Sequence, residues 1–189
     1  MFACWSKILA AALRVWTSEV VDRCGVASPS FEMPPKAKQF NSLNFITQNA
    51  RGIKNNDRIH EISAQVITHK LFAVCLQETW RNGEDIFIEN DCTFILNGID
   101  RNADNSRRGK GGVGIVLSKT ARDAWNLAGS SVFTNFGPRI IAVRLLVKDN
   151  SNKDCHVYLV SAYAPIGVAD QPLWDSFSHQ SAKLHRYKT

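Results

Sequence analysis

A carboxylate and an amide follow two strand-like stretches of this sequence. Glu78 is the centre of the tripeptide Gln77-Glu78-Thr79, directly after the apolar run 71–76, and Asn49 directly follows the strand-like residues 43–48. Loops at the ends of buried strands are where α/β enzymes place functional side chains. Because Mg²⁺ prefers oxygen ligands, the two side chains indicate a candidate site for a hard metal ion.

The pattern around these residues predicts a strand, a helix and a second strand. Residues 57–67 lie between the two strand patterns and carry Ile59, Ile62, Val66 and Ile67 on one helical face. The remaining patterns complete an α/β sequence. They are strands at 94–98, 113–117, 139–147 and 156–163, a hairpin turn at 149–152 and a helix at 172–184.

Length and composition predict one soluble globular domain with a basic surface. The chain has 189 residues, of which 44% are hydrophobic and 21% charged, and its formal net charge is +6. This charge favours a polyanionic partner, nucleic acid first and a membrane surface or a phosphorylated small molecule after it. No apolar run approaches the roughly 20 residues of a membrane-spanning helix, so we expect no membrane span.

Cysteine and histidine spacing favours neither a zinc site nor a catalytic thiol. The five cysteines are odd in number and widely spaced, which predicts free thiols in a reducing compartment. Cys75 lies inside an apolar run, so we interpret it as a small buried hydrophobic residue. The five histidines show no metal-site spacing, and surface or structural roles are expected for them.

The first 40 residues are interpreted as an extension and linker, and residues 41–189 as the folded domain. Residues 1–21 have apolar side chains at helical spacing with Lys7 and Arg14, a pattern that an amphipathic organellar targeting helix would share. Lys7 interrupts the apolar region that a secretory signal needs. Residues 28–38 are rich in Pro, Ser and Lys, as linkers often are.

Five short motifs then occur in a fixed order along residues 43–185. They are Asn49 in a strand-turn, Gln77-Glu78-Thr79, Gly111-Gly112-Val113-Gly114, Pro138-Arg139-Ile140 and Ser161-Ala162-Tyr163-Ala164-Pro165. In this order they resemble the endonuclease/exonuclease/phosphatase superfamily. Within it, the likeness is to the endonuclease domains of non-LTR retrotransposons, which are similar to apurinic-site endonucleases.

The resemblance implies an α/β fold that is the amino-terminal portion of a four-layer α/β sandwich, with mixed and mostly antiparallel sheets. It also implies Mg²⁺-dependent phosphodiester hydrolysis of DNA, with Mn²⁺ as a substitute ion, in the nucleus or cytoplasm. Glu78 resembles the metal-binding carboxylate and Asn49 the amide that orients the metal or the phosphate. Tyr163 resembles the tyrosine that contacts the scissile phosphate, and Arg139 the arginine that opens the strand after the glycine turn.

The chain also departs from the superfamily pattern. Relatives continue with a Gly-Asp-x-Asn and a Ser-Asp-His strand end, which supply the nucleophile-aligning acid, further metal ligands and the acid/base histidine. Neither motif occurs in residues 1–189, and Gln48 stands where many relatives have tryptophan. We therefore expect an incomplete domain with low or no activity alone, which another chain or segment would complete.

Alternatives remain open for each candidate residue and for the function. Arg107, Arg108 and Lys110 in the polar loop 100–110 could contact phosphates, or could form an ordinary solvated loop. Asn49 could simply form a turn and Tyr163 could pack at a sheet edge. The alternative functions are a non-catalytic nucleic-acid-binding remnant and a phosphatase of the same superfamily.

Overall fold

The fold was determined as a computed structural model. It describes residues 37–40, 42–53, 55–99, 111–165 and 175–179, together with the backbone of residues 14–19. The strands are β1 (Arg14–Glu19), β2 (Phe45–Asn49), β3 (Ala73–Gln77), β4 (Glu84–Glu89), β5 (Cys92–Asn97), β6 (Val113–Leu117), β7 (Val132–Phe133), β8 (Ile140–Lys148) and β9 (Asp154–Ala162). The helices are α1 (Asn56–Thr68), between β2 and β3, and α2 (Lys119–Leu127), between β6 and β7.

The first sheet is mixed and has five strands in the order β2-β3-β6-β5-β4. β2 and β3 are parallel, with α1 as the crossover between them, and the other pairs are antiparallel. This is the strand, helix and strand unit that the sequence predicts. The carboxyl ends of β2 and β3 therefore lie side by side at one end of the sheet.

The second sheet is antiparallel, with the order β1-β9-β8-β7. Its long hairpin β8–β9 is closed by a turn in which Asp149 Oδ1 accepts backbone hydrogen bonds from Ser151 at 2.8 Å and Lys153 at 2.9 Å. Asp side chains stabilise turns in this way. The predicted hairpin turn at 149–152 is confirmed.

The two sheets face each other across the main hydrophobic core. This core contains side chains of β3, β5 and β6 from the first sheet and of β8 and β9 from the second, with α2 packed into the same cluster. A second cluster joins α1 to the outer face of the first sheet. Mixed α/β content with two facing sheets is thus established. Within the described residues, no helix has the length and apolar character needed to cross a bilayer.

Several local predictions differ from the structure. Ile67 does not share the buried face of α1, because its side chain is 57% exposed, whereas Ile59, Ile62 and Val66 are buried. No sequence pattern above predicts β4, β7 or α2. α2 has only nine residues and is mostly polar, and its start is fixed by Ser118, whose side chain accepts a hydrogen bond from the Ala121 N–H.

The amino-terminal region also differs from the prediction. The helical pattern of residues 1–21 is wrong at Arg14–Glu19, which forms strand β1 paired along β9. Gln39 makes a further bridge to Lys148 in β8. The Val, Trp and Thr of residues 15–17 favour a strand, and β9 offers them an edge for pairing. Parts of residues 1–40, interpreted above as an extension, therefore belong to the second sheet.

Two predictions fall on residues that the structure does not describe in full. The basic loop with Arg107, Arg108 and Lys110 lies outside the described residues. Of the predicted helix 172–184, residues 175–179 are described and are helical. Phe177 of this stretch packs against the outer face of the second sheet.

The central position of β6 predicts a strong dependence of stability on its side chains. Ile115 is 0% exposed in the core between the sheets, whereas Ile88 on β4 is 60% exposed. Ile115→Ala should lower the free energy of unfolding by about 2–5 kcal/mol, because it leaves a cavity. The matched change Ile88→Ala should alter it by less than about 0.5 kcal/mol. Urea unfolding of both variants measures the difference, and equal losses would contradict the described packing.

Candidate functional site

Strands from both sheets end at the same place, and there the candidate residues meet. In the β2–β3 register Asn49 pairs with Gln77, so Glu78 lies one residue beyond that pair. Tyr163 directly follows β9 in the second sheet. The Tyr163 hydroxyl donates a hydrogen bond to Glu78 Oε1 at 2.6 Å, across 85 residues of sequence. The structure thus brings Glu78 and Tyr163 into direct contact, with Asn49 at the neighbouring strand end.

The backbone of the loop 78–80 is held in an unusual conformation. Glu78 and Trp80 both have φ of 52°, in the left-handed region that non-glycine residues seldom adopt. Hydrogen bonds from flanking loops fix this conformation on both sides. They are Gly52 N–H to Glu78 O at 2.8 Å, Ile53 N–H to Thr79 O at 3.0 Å, Thr79 N–H to Gly112 O at 3.2 Å and Trp80 N–H to Gly111 O at 3.0 Å.

Two glycines allow these loops to come so close. A Cβ at Gly112 would lie 2.4 Å from Thr79 Oγ1, and a Cβ at Gly52 would lie 2.4 Å from Trp80 Cε3. Both glycines also have positive φ, +80° and +94°. Residues 100–110, which precede the glycine motif, lie outside the described residues, so the tight turn predicted there stays a prediction. The contact of Gly111 and Gly112 with the Glu78 loop is a further role of the glycine motif, and the sequence pattern alone does not reveal it.

Tyr163 is prepared to act as a hydrogen-bond donor. Its side chain is 6% exposed, and burial, followed by the hydrogen bond to Glu78, raises the pKa of its hydroxyl well above the ordinary value. Arg139 contacts both the ring and the backbone of Tyr163. The Arg139 guanidinium lies 5.5 Å from the centre of the Tyr163 ring, and the Arg139 carbonyl accepts the Tyr163 N–H at 2.9 Å. Tyr163 therefore keeps its proton at neutral pH.

Asn49 has a local structural role in addition to its place in the site. Its Oδ1 accepts a hydrogen bond from the Arg51 N–H at 3.1 Å, and Arg51 has φ of 49°. This is the turn-forming contact expected of asparagine where a strand ends. The alternative that Asn49 forms a turn is thus confirmed as one of its functions.

Buried polar side chains connect the two sheets at the same end. The Ser161 hydroxyl donates to Leu76 O at 3.0 Å, and Asn97 Nδ2 donates to Gly137 O at 3.0 Å. Both side chains are buried, and each directly follows buried apolar residues of its strand, Leu96 in β5 and Val160 in β9. Sequence reasoning missed them as positioning residues. A polar residue directly after an apolar run of a strand is the signal that could have identified them, because buried polar groups need hydrogen-bond partners.

The donor atoms at the site fit a hard cation in part. Glu78 supplies a carboxylate whose Oε1 is bound by Tyr163, and among the described residues nothing donates to its Oε2. The described part of the chain contains no group of three or more His, Cys, Asp or Glu residues suited to a metal. Mg²⁺ commonly uses one or two protein carboxylates, waters and substrate phosphate. Glu78 can serve as such a single carboxylate ligand.

Three arginines lie close in sequence or in space to the two side chains of the site. Arg51 is two residues after Asn49, and the Arg139 guanidinium lies beside the Tyr163 ring; among the described residues neither forms a salt bridge. Arg81, three residues after Glu78, has a long contact of 3.9 Å with Asp85. Cationic groups of this kind attract phosphate esters.

Two cysteines of the described residues are buried in the core. Cys75 and Cys92 are free thiols, and burial raises the pKa of Cys75 to about 12. A thiol with such a pKa is protonated and unreactive at neutral pH. The interpretation of Cys75 as a small buried hydrophobic residue is confirmed.

Comparison with known proteins adds no relative. No protein-family model matches the chain, and no curated protein matches it significantly. Conclusions about function therefore depend on the geometry of the site and on the motifs in the sequence.

The contact between Gly112 and Thr79 predicts a specific sensitivity to an added methyl group. Gly112→Ala should reduce the free energy of unfolding by the left-handed backbone cost of about 1–2 kcal/mol plus a steric cost of about 1–3 kcal/mol. Gly83→Ala is the matched control, because Gly83 has φ of +64° and an added Cβ there would meet nothing within 4 Å. Thermal or urea unfolding of both variants measures the two costs, because Gly83→Ala has only the backbone cost and Gly112→Ala has the backbone and the steric cost. Equal destabilisation would show that the Thr79 contact is unimportant.

The hydrogen bond from Tyr163 to Glu78 predicts a pH-dependent effect of Tyr163→Phe. At neutral pH the variant should lose about 1–3 kcal/mol of unfolding free energy, as is typical of a hydrogen bond to a charged group. The folded protein raises the Tyr163 pKa, so this residue's contribution is complete below pH about 10 and falls as the pH rises further. Urea unfolding at pH 8 and at pH about 10.5 should show the gap between the two proteins narrowing. A constant gap would contradict the raised pKa.

Proposed function

We propose that this chain is a Mg²⁺-dependent phosphodiester hydrolase of the DNA endonuclease type. The observation that carries the proposal is the 2.6 Å hydrogen bond between Tyr163 and Glu78 at the ends of two facing sheets. It brings together two of the residues that the motif order assigns to one site. The proposal includes membership of the endonuclease/exonuclease/phosphatase superfamily, a retrotransposon origin and a complete four-layer sandwich around the described sheets.

DNA is the proposed substrate because of the charge of the chain. The net charge is +6, and Arg51 and Arg139 flank the site without salt-bridge partners among the described residues. A protein that neutralises phosphates with arginine gains affinity through counterion release. A nuclear or cytoplasmic location would give access to this substrate and agrees with free thiols at Cys75 and Cys92.

In the proposed mechanism the side chains bind and orient the phosphodiester. A Mg²⁺ ion held by Glu78, with Asn49 beside it, would supply charge stabilisation at the phosphoryl oxygens. The Tyr163 hydroxyl stays protonated, and it can donate its hydrogen bond to a phosphate oxygen instead of to Glu78. Arg139 holds Tyr163 in place. The reaction itself forms a bond between a water oxygen and phosphorus, transfers a water proton to a base, and breaks the bond between phosphorus and the leaving oxygen, which takes a proton from solvent.

The base in that reaction has no candidate among the described residues. Their one histidine–carboxylate pair is His60 with Glu89 at 3.1 Å, and Glu89 ends β4 at the sheet end opposite to Glu78. A positioned base usually contributes about 10²–10⁴-fold in rate. We therefore propose weak or no hydrolysis by this chain alone.

The absence of a candidate base among the described residues favours a second candidate function, which is nucleic-acid binding without hydrolysis. A basic protein that retains phosphate-binding side chains but lacks a base would bind DNA with strong salt dependence. Affinity that does not change with salt concentration would exclude this candidate. A phosphatase acting on a phosphorylated small molecule is the remaining alternative, and it would require no affinity for DNA.

Replacing the Glu78 carboxylate tests the proposed metal site. Mn²⁺ titration followed by electron paramagnetic resonance should show Glu78→Gln binding Mn²⁺ at least about tenfold more weakly than the unaltered chain. Glu89→Gln removes the same charge from a carboxylate at the other end of the sheet and should leave Mn²⁺ affinity unchanged. Equal affinity of all three proteins would exclude Glu78 as a ligand.

A supercoiled-plasmid assay tests hydrolysis with the same three proteins. With Mg²⁺, any nicking by the unaltered chain should be slow and should persist in Glu89→Gln, but Glu78→Gln should show none. Plasmid nicking that survives Glu78→Gln would contradict the proposed site. Rapid nicking by the unaltered chain would mean that a base lies outside the described residues.

A further inference from the structure

We infer that Trp80 is a stacking surface for a nucleic-acid base that flanks the phosphate bound at Glu78. The inference rests on the proposed function for its site, and it names a residue that would make that site prefer nucleic acid over other phosphate esters. Trp80 lies two residues after Glu78 and is part of the same left-handed loop. An aromatic side chain in this position would contact whatever group adjoins the phosphate.

The position of Trp80 is fixed by its backbone conformation and by two contacts. Its φ of 52° is costly for a bulky residue, and such conformations persist where the surroundings impose them. The Trp80 N–H donates to Gly111 O at 3.0 Å, and the indole ring lies against Gly52, where a Cβ would come within 2.4 Å of Cε3. Because the ring is already immobilised, binding a base to it would cost little side-chain entropy.

Trp80 differs from Trp125, which is also in the described part of the chain. Trp125 is a core residue, because it is 8% exposed and its Nε1 donates to Ser131 O at 3.1 Å. Trp80 is only partly buried. Among the described residues its indole N–H makes no hydrogen bond, and its ring makes no aromatic or cation–π contact. The polar edge and part of the ring are thus available to a ligand.

The charges beside Trp80 match the chemistry of a nucleotide. Arg51 lies next to Gly52, against which the indole ring packs, and Arg51 has no salt-bridge partner among the described residues. A nucleotide presents a planar base together with a phosphate, so an indole ring near a free guanidinium can bind both parts. Stacking on aromatic side chains is tolerant of sequence, because every base has a π-face. A phosphorylated sugar or lipid headgroup has no such face.

A purely structural role for Trp80 would also explain its contact with Gly52, and a binding experiment separates the two. The probe is a fluorescent single-stranded oligodeoxynucleotide, titrated without Mg²⁺ and followed by anisotropy. The matched probe has the same backbone but abasic sugars. Trp80→Leu should weaken binding of the base-bearing probe by about 5- to 150-fold and leave the abasic probe unchanged. Trp80→Phe, which keeps an aromatic ring, should retain most of the affinity.

A measurement on the unaltered chain covers the case in which Trp80→Leu does not fold. The indole N–H resonance of Trp80, assigned with Trp80→Phe, should shift when the oligodeoxynucleotide is added and remain in place with ribose 5-phosphate. An unshifted resonance, or equal loss of affinity for both probes, would overturn the inference. Because these experiments omit Mg²⁺, base-dependent binding without plasmid nicking would reject only the proposed hydrolysis. Nicking with unchanged binding by Trp80→Leu would reject only the stacking role.

Discussion

The left-handed backbone at Glu78 is the constraint on which the rest of the site depends. Glu78 and Trp80 adopt this conformation only because flanking loops donate to, and accept from, the peptide groups of residues 78–80. Gly52 and Gly112 make that close approach sterically possible. The carboxylate is thereby aimed at the hydroxyl of Tyr163, although the two residues belong to different sheets. One strained turn therefore places the Glu78 carboxylate within reach of a residue of the second sheet.

The hydrogen bonds by which polar side chains join the two sheets lie together at one end of the sheets. Ser161, Asn97 and Tyr163 all join the first sheet to the second there, by hydrogen bonds from buried side chains. Elsewhere the interface between the sheets is apolar. Hydrophobic packing fixes that the sheets face each other, but it has little directional preference. The directional bonds at one end specify the relative position of the strand ends, which a functional site requires.

Sequence patterns could predict the local elements but not how the two sheets meet. β2, α1 and β3 have clear periodicity, and the parallel pair placed Glu78 beside Asn49, as expected. Strand and helix periodicity does not link Tyr163 to Glu78, because a contact over 85 residues depends on packing between the sheets. Only the resemblance of the motif order assigns the two residues to one site. The short helix α2 buries Ala121, Ala124 and Trp125 at helical i, i+3 and i+4 spacing. With only nine residues, five of them polar, it carries too few apolar positions for this spacing to stand out in the sequence. The strand β1 was obscured because its sequence also fits a helical period.

The pairing of β1 with β9 has a consequence for how copies of the chain behave towards one another. An uncovered β9 would present an edge nine residues long, whose peptide groups that do not pair with β8 could recruit a strand from a neighbouring molecule. Arg14–Glu19 pairs with six of those residues and so blocks this edge against pairing with another molecule. A chain shortened at its amino terminus would lose this protection without losing any residue of the Glu78 cluster. The residues that protect the chain against association and the residues of the Glu78 cluster therefore lie in separate parts of the sequence.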